Sequence, residues 1–296
     1  CDAGADETTV EACYWRSLEG FRELLSRETE LCSALADSLD QARGRLDAAS
    51  RTPRPGAPNL DKLHAAAADA PVDPPAELAL APGGKSTLRA ELGKVMGWYN
   101  HAGDGAMLAG AADLLGSTSV DKAGDGFPGG FWNSRDNIGA RILSLGGICE
   151  DAIGGIATGI SAFGKHLGVA SSYAAFMAPL GHIAVRVHAI GNQARREMMP
   201  GEPAKPVVLV CAHAGMKTGE DGPTHADPQA LQLLQENFAP GAALTLTPWD
   251  PRELWHLFTT ALAARPALIA PFVTRPGEPI FDREALGLAP VSAARQ

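Results

Sequence analysis

Apolar residues recur at helical spacing over residues 7–50. Tyr14, Leu18, Phe21 and Leu25 share one face, and Leu35, Leu39 and Leu46 continue the stripe, with Glu, Arg, Asp and Gln between them. The pattern predicts a packing helix or a helical pair. Over residues 52–85 the periodicity is lost. Pro53, Pro55, Pro58, Pro71, Pro74, Pro75 and Pro82, then Gly83 and Gly84, interrupt an Ala-rich stretch. Repeated proline blocks long helices and sheet ladders, so a linker or an extended surface segment is expected. From residue 86, short apolar runs alternate with amphipathic stretches. Helices are predicted near 87–99, 149–166, 176–193, 228–237 and 252–264, and strands near 106–109, 169–174, 206–212, 243–247 and 267–273, with a Gly-rich loop over 116–137. Such alternation implies a three-layer α/β/α, doubly wound, mostly parallel sheet. The domain reading is a helical lead-in and linker (1–85), an α/β domain (86–280) and a tail (281–296) without a strong element.

Composition narrows the function classes. The 296 residues carry 25 Lys+Arg against 34 Asp+Glu, a net charge of −9. An acidic chain is poorly suited to sequence-independent nucleic-acid binding, which needs a cationic surface. No apolar run reaches the ~18–20 residues of a membrane-spanning helix. The five cysteines, Cys1, Cys13, Cys32, Cys149 and Cys211, are scattered and form no C-x-x-C pair. Reduced thiols and a cytoplasmic location are therefore expected. The chain starts at Cys1 rather than Met. A lipidated mature terminus is one reading of that start, and a chain whose earlier part is missing is the other.

Ligands on parallel sheets bind beyond the strand carboxyl ends, so the loops after the predicted strands are where chemistry is expected. The loop after 207–212 runs from His213 to His225 and holds Glu220, Asp221, Gly219 and Gly222. Its imidazoles can donate to hydroxyls and phosphate oxygens and can move protons near neutral pH. Its glycines let backbone amides approach a ligand. A second segment runs from Gly146 to Gly159, with Glu150 in the first turn of a predicted helix. Interior glycine costs about 1 kcal/mol relative to alanine, so several of them predict close backbone packing. Glu150 either complements the helix dipole or, flanked by Ile148, Cys149 and Ile153, is shielded from water and shares a proton with a ring nitrogen. The turn after the first predicted strand offers Asp113 and Ser117 as ligands or caps. No G-x-G-x-x-G opens a helix, there is no P-loop, and no His or Cys set has zinc spacing.

These loops resemble the pyrimidine-binding domain of transketolases, which depend on thiamine diphosphate. The Gly219–His225 segment, GEDGPTH, is close to a motif of that family. Ala109–Leu114 is similar to its G-S-A-D-L turn, with Ala111 for Ser. Gly147–Gly159 is similar to its G-V-R-E-H stretch, with Cys149 for Arg, Asp151 for His and Thr158 for Asn, but with Glu150 kept. Tyr173 and Phe176 resemble its aromatic pair. The resemblance implies that Glu150 hydrogen-bonds N1′ of the cofactor's aminopyrimidine, that Phe176 and Tyr173 stack on that ring, and that Asp113 lies near it. It implies that His213, Asp221 and His225 contact sugar hydroxyls or phosphate, that His213 and His225 serve catalysis beside Glu150, and that Ser117 and Arg275 take the phosphate end. The implied reaction moves a two-carbon ketol unit between sugar phosphates.

Nothing in the sequence resembles the family's diphosphate- and Mg²⁺-binding domain. A partner domain or subunit holding Mg²⁺, and a dimer across the active site, are therefore expected, with the chain itself contributing no metal ligand. The other half of the site is expected before Cys1 or on another chain, and the chain alone is expected to be inactive. Gly103-Asp104-Gly105 with Asn133 has the spacing of the family's Mg²⁺ motif but follows no convincing strand. Near Thr87-Leu88-Arg89, where the family contacts phosphate, Glu91 stands for the usual Ser. A 2-oxo acid dehydrogenase component of E1 type, a deoxyxylulose-phosphate synthase and a non-catalytic assembly module are the alternative readings.

Overall fold

The computed structural model describes residues 6–50, 52, 56–181, 184–199, 201–214, 224, 227, 229–236 and 238–295. The chain divides into two compact units, Cys1–Pro55 and Gly56–Gln296. The first holds helices α1 (Glu7–Arg27) and α2 (Thr29–Ala48), the pair that the spacing predicts. Asp6 caps α1 by accepting from the Thr9 amide at 2.8 Å. The apolar stripe stays exposed: Phe21 and Leu39 are 65% and 63% accessible, and no residue of α2 is buried. Cys13 is disulfide-bonded, against the expectation of wholly reduced thiols. Spacing along a chain does not show which cysteines approach in space. Cys32, Cys149 and Cys211 are free.

The Pro-rich segment is not extended throughout, because it contains helix α3 (Leu60–Ala68), capped by Asn59, with Leu63, His64 and Ala67 buried. Pro58 and Pro71 bracket a proline-free window, which is long enough for this helix. Strand β1 (Lys85–Thr87) follows, then α4 (Leu88–Ala102), whose cap is Thr87 accepting from the Ala90 amide. Next come β2 (Met107–Ala111), α5 (Leu115–Thr118), α6 (Glu150–Phe163) and β3 (Leu167–Tyr173). Within the predicted helix over 176–193 the structure describes α7 (Met177–Gly181) and α8 (Ala184–Met198). The remaining elements are β4 (Val207–Ala212), α9 (Gln229–Glu236), β5 (Ala243–Leu246), α10 (Glu253–Ala264), β6 (Leu268–Val273) and β7 (Gly277–Pro279).

Five strands form one parallel sheet in the order β2-β3-β4-β6-β5. The crossovers explain its layers. Passing from β2 to β5 moves in one direction, so right-handed connections place α6, α8 and α9 on one face. The return from β5 to β6 reverses direction and places α10 on the other face, beside α4. Side chains alternate accordingly. Val169, Val208, Val210 and Ile269 pack with Leu92, Met96, Tyr99 and Phe258 on the α4/α10 side. Ala170, Leu209, Cys211 and Ala270 pack with Ile153, Leu180 and Leu234 on the other. Each central strand is buried on both faces, hence its continuous apolar run.

A second, antiparallel pairing joins β1 to β7, with Ser86 opposite Glu278. Three-residue strands containing Pro279 leave no period-two pattern to read. The tail is anchored as well: Arg283 pairs with Asp250 and Glu253, and Arg295 donates to His256 Nδ1 at 3.2 Å. Among the described residues, no single helix is long and apolar enough to cross a membrane.

Candidate active site

The sheet register aligns the strand carboxyl ends. Ala111 lies opposite Ser171, Tyr173 opposite Ala212, and Ala212 opposite Val273. The residues just beyond them are therefore neighbours along one edge: Asp113 after β2, Tyr173 and Phe176 at β3, His213 after β4 and Arg275 after β6. Asp221 and His225 lie outside the described residues.

Glu150 reaches this edge from the first turn of α6. Helix α6 can lie close to β3 and to α7 because glycines remove side chains at both contacts. A Cβ at Gly168 would sit 1.9 Å from the Ala157 carbonyl oxygen, and one at Gly154 would sit 2.2 Å from that of Leu180. The close packing predicted from the helix glycines is met at Gly154 but not at Gly155 or Gly159, where a Cβ would meet open space. Ser172 faces α6, on the same side of β3 as Ala170. Its hydroxyl, in a residue only 2% exposed, donates to Glu150 Oε1 at 3.1 Å. Glu150 is half-buried. The expectation that Ile148 and Cys149 shield it is not met, since Ile148 is 70% exposed and Cys149 is exposed. Of the three expected neighbours only Ile153 is buried, because one face of a helix start turns inward.

The Tyr173 ring stacks on the His213 imidazole, with centroids 4.2 Å apart. Both residues are buried, and His213 adopts φ 55°. Phe176, in the turn that follows, is 39% exposed. Asp113 is half-buried, and its Oδ1 accepts from the Leu114 amide at 2.7 Å. It lines a cleft of about 250 Å³ with Ala112, Phe131, Ser144, Gly146 and Ile148. That wall is fixed because residues around Ile142 run beside β2, with the Leu143 amide donating to Ala109 O at 2.7 Å. The buried Arg141 also donates to the carbonyls of Ile138, Gly139 and Ala140. Ser117 is met by Arg89, whose guanidinium donates to its carbonyl and, at 3.2 Å, to its hydroxyl.

The Gly103-Asp104-Gly105 tripeptide is engaged elsewhere. Asp104 pairs with Lys62 at 3.0 Å, and Gly105 packs against Arg141. Glu91 is buried and accepts from Lys94 at 2.7 Å.

Residues 86–273 match the family described as transketolase, pyrimidine binding domain. The chain belongs to that family. Solved transketolases share the fold. The enzyme from Pichia stipitis, in complex with sedoheptulose-7-phosphate, superposes with a TM-score of 0.58 at 18% identity, over 99% of this chain and 38% of its own. That from Leishmania mexicana gives 0.55 at 18% identity over 88% and 35%, and that from Campylobacter jejuni gives 0.54 at 20% over 74% and 30%. The chain thus spans about a third of the length of the transketolases it resembles. No curated protein sequence is significantly similar to it.

Within this pyrimidine-binding domain, the structure brings Glu150, Tyr173 and His213 to one edge and places Asp113 and Arg275 on flanking strand ends. Sequence reading missed Ser172, and it named Arg89 only within the Thr87–Arg89 stretch where the family contacts phosphate, without joining it to Ser117. Ser172 carried a faint signal, a hydroxyl two residues beyond Ala170 on an otherwise small and apolar strand face. Nothing in the sequence connects Arg89 to Ser117, because they meet only when the start of α4 packs beside α5.

Proposed function

We propose that this chain supplies the pyrimidine-binding half of a transketolase-like transferase, working with a diphosphate-binding domain or subunit that holds Mg²⁺. The observation that supports it most is Glu150: a half-buried carboxylate at the strand carboxyl edge, with one oxygen bonded to a buried hydroxyl and the other bonded to none of the described residues. That donor set, with the exposed Phe176 ring and the cleft beside Asp113, fits an aminopyrimidine. Thiamine diphosphate, when bound, supplies the nucleophilic carbon that takes up and hands on a two-carbon ketol unit. Glu150 Oε2 shares a proton with the ring nitrogen N1′. Phe176 would stack on the ring, with Tyr173, itself stacked on His213, beside it. Asp113, on the cleft wall, would lie beside the cofactor. His213, Asp221 and His225 serve the sugar hydroxyls, and Ser117, with Arg89 adding positive charge, serves the phosphate end together with Arg275.

The test is reconstitution with a transketolase diphosphate-binding domain, thiamine diphosphate and Mg²⁺, assayed with ketose phosphates and 2-oxo acids. Ketol transfer only in the mixture, lost in Glu150→Gln, is expected. Turnover by the isolated chain refutes the half-enzyme reading, and activity restricted to 2-oxo acids assigns the chain to the E1 type. An unchanged rate in Glu150→Gln removes Glu150 from the chemistry.

A further inference from the structure

The position of Glu150 allows two roles. A carboxylate in the first turn of a helix ordinarily complements the helix dipole and bonds the free amides there. Glu150 makes no such bond. The N-cap residue Cys149 offers no side-chain cap either, and the bond that Glu150 accepts comes from across the layer, from Ser172 on β3. The carboxylate is thus held by the sheet rather than by its own helix.

We propose that Ser172 is a positioning residue that fixes the Glu150 carboxylate for its ligand. The role it serves rests on the thiamine-dependent reading above. Three observations carry the proposal. Ser172 is 2% exposed, so its hydroxyl needs a partner inside the protein. The adjacent hydroxyl, Ser171 Oγ, is bonded to the Val210 carbonyl at 3.0 Å on the neighbouring strand, whereas Ser172 turns to Glu150. And Ser172 engages Oε1, while Oε2 has no partner among the described residues. A side chain with three rotatable bonds is thereby tied at one oxygen to a strand buried on both faces. A serine hydroxyl is both donor and acceptor. Oε1 remains an acceptor while a proton is shared at Oε2, so the contact survives in both protonation states of the carboxyl group.

The carboxyl resonance of Glu150 tests this in the full chain, labelled with ¹³C-glutamate and assigned by its loss in Glu150→Gln. Ser172→Ala should move that signal and leave the other glutamates in place, and Ser172→Thr should bring it back. Ser172→Cys, close in size and a weaker donor, should move it in the same direction as Ala and serves if the Ala variant does not fold. A Glu150 signal unmoved in a folded Ser172→Ala or Ser172→Cys protein overturns the proposal. In the complex with a diphosphate-binding domain, Ser172→Ala should weaken thiamine diphosphate binding about tenfold, the scale of one hydrogen bond to a charged group, with rescue by Ser172→Thr. Equal affinity in the two proteins also overturns it. If the unmutated complex fails to bind thiamine diphosphate, the functional reading fails, and the resonance shift still decides whether Ser172 holds Glu150.

Discussion

The Tyr173 ring lies 4.2 Å, centroid to centroid, from the imidazole of His213, and the two residues close the carboxyl ends of adjacent strands. His213 holds a left-handed backbone, φ 55°, that a non-glycine residue adopts at a cost. Packing against Tyr173 helps offset that cost. Tyr173→Ala should destabilise the protein by about 3–5 kcal/mol, as buried aromatics do. A double-mutant cycle with His213→Ala should give a coupling of about 0.5–1.5 kcal/mol. Strictly additive losses in urea unfolding would show that the stack contributes nothing of its own.

The glycines of α6 and β3 divide into two kinds. Gly154 and Gly168 are forced by backbone approach, while a Cβ at Gly155 or Gly159 would meet open space. Gly154→Ala and Gly168→Ala should each cost at least about 2 kcal/mol through overpacking. Gly155→Ala and Gly159→Ala should be neutral or stabilising by up to about 1 kcal/mol. Thermal unfolding of the four variants decides; similar midpoints would mean that α6 is not seated through these glycines.

The proline-bracketed helix α3 is part of the fold of the second unit. Leu63, fully buried, belongs to the same core as Leu92, Tyr99 and Phe258. Leu63→Ala should cost about 2–5 kcal/mol. An extended surface linker would tolerate the change within about 0.5 kcal/mol, so denaturant titration separates the two.

Acid should weaken the second unit through His64. Burial first, then Arg265, lowers its pKa from 6.5 to about 4. Nδ1 lies 3.1 Å from the Leu262 carbonyl, and Nε2 is buried with no hydrogen-bond partner among the described residues. Between pH 6.5 and 4 the unfolded chain binds the proton and the folded one does not. Stability is therefore full above pH 6.5 and falls as the pH drops through that window, by about 3 kcal/mol at most. His64→Phe should flatten this part of the profile in urea unfolding at stepped pH. An equally steep profile in that variant would locate the acid sensitivity elsewhere.

Glu150→Gln should leave stability within about 0.5 kcal/mol, because an amide oxygen can still accept from Ser172. Loss of reconstituted activity in a protein of unchanged stability assigns Glu150 to chemistry. A matching loss of stability would assign it to the helix end.

Much of the architecture was legible in the sequence, because buried strands such as Val207–Ala212 must be apolar on both faces, while the helices between them carry a 3.6-residue stripe. Those two periods determined the layer order and pointed to the loops beyond the strands as the place for chemistry. Glu150, His213 and Asp113 stood out for the same reason. The β1–β7 pairing, the seating of α3, the tie from Ser172 to Glu150 and that from Arg89 to Ser117 were decided only by the tertiary structure. Each joins residues with no shared local period. Sequence periodicity records which face of an element is covered; it does not record which distant side chain meets a given carboxylate, because that depends on crossover direction, strand register and the close approach that the glycines permit.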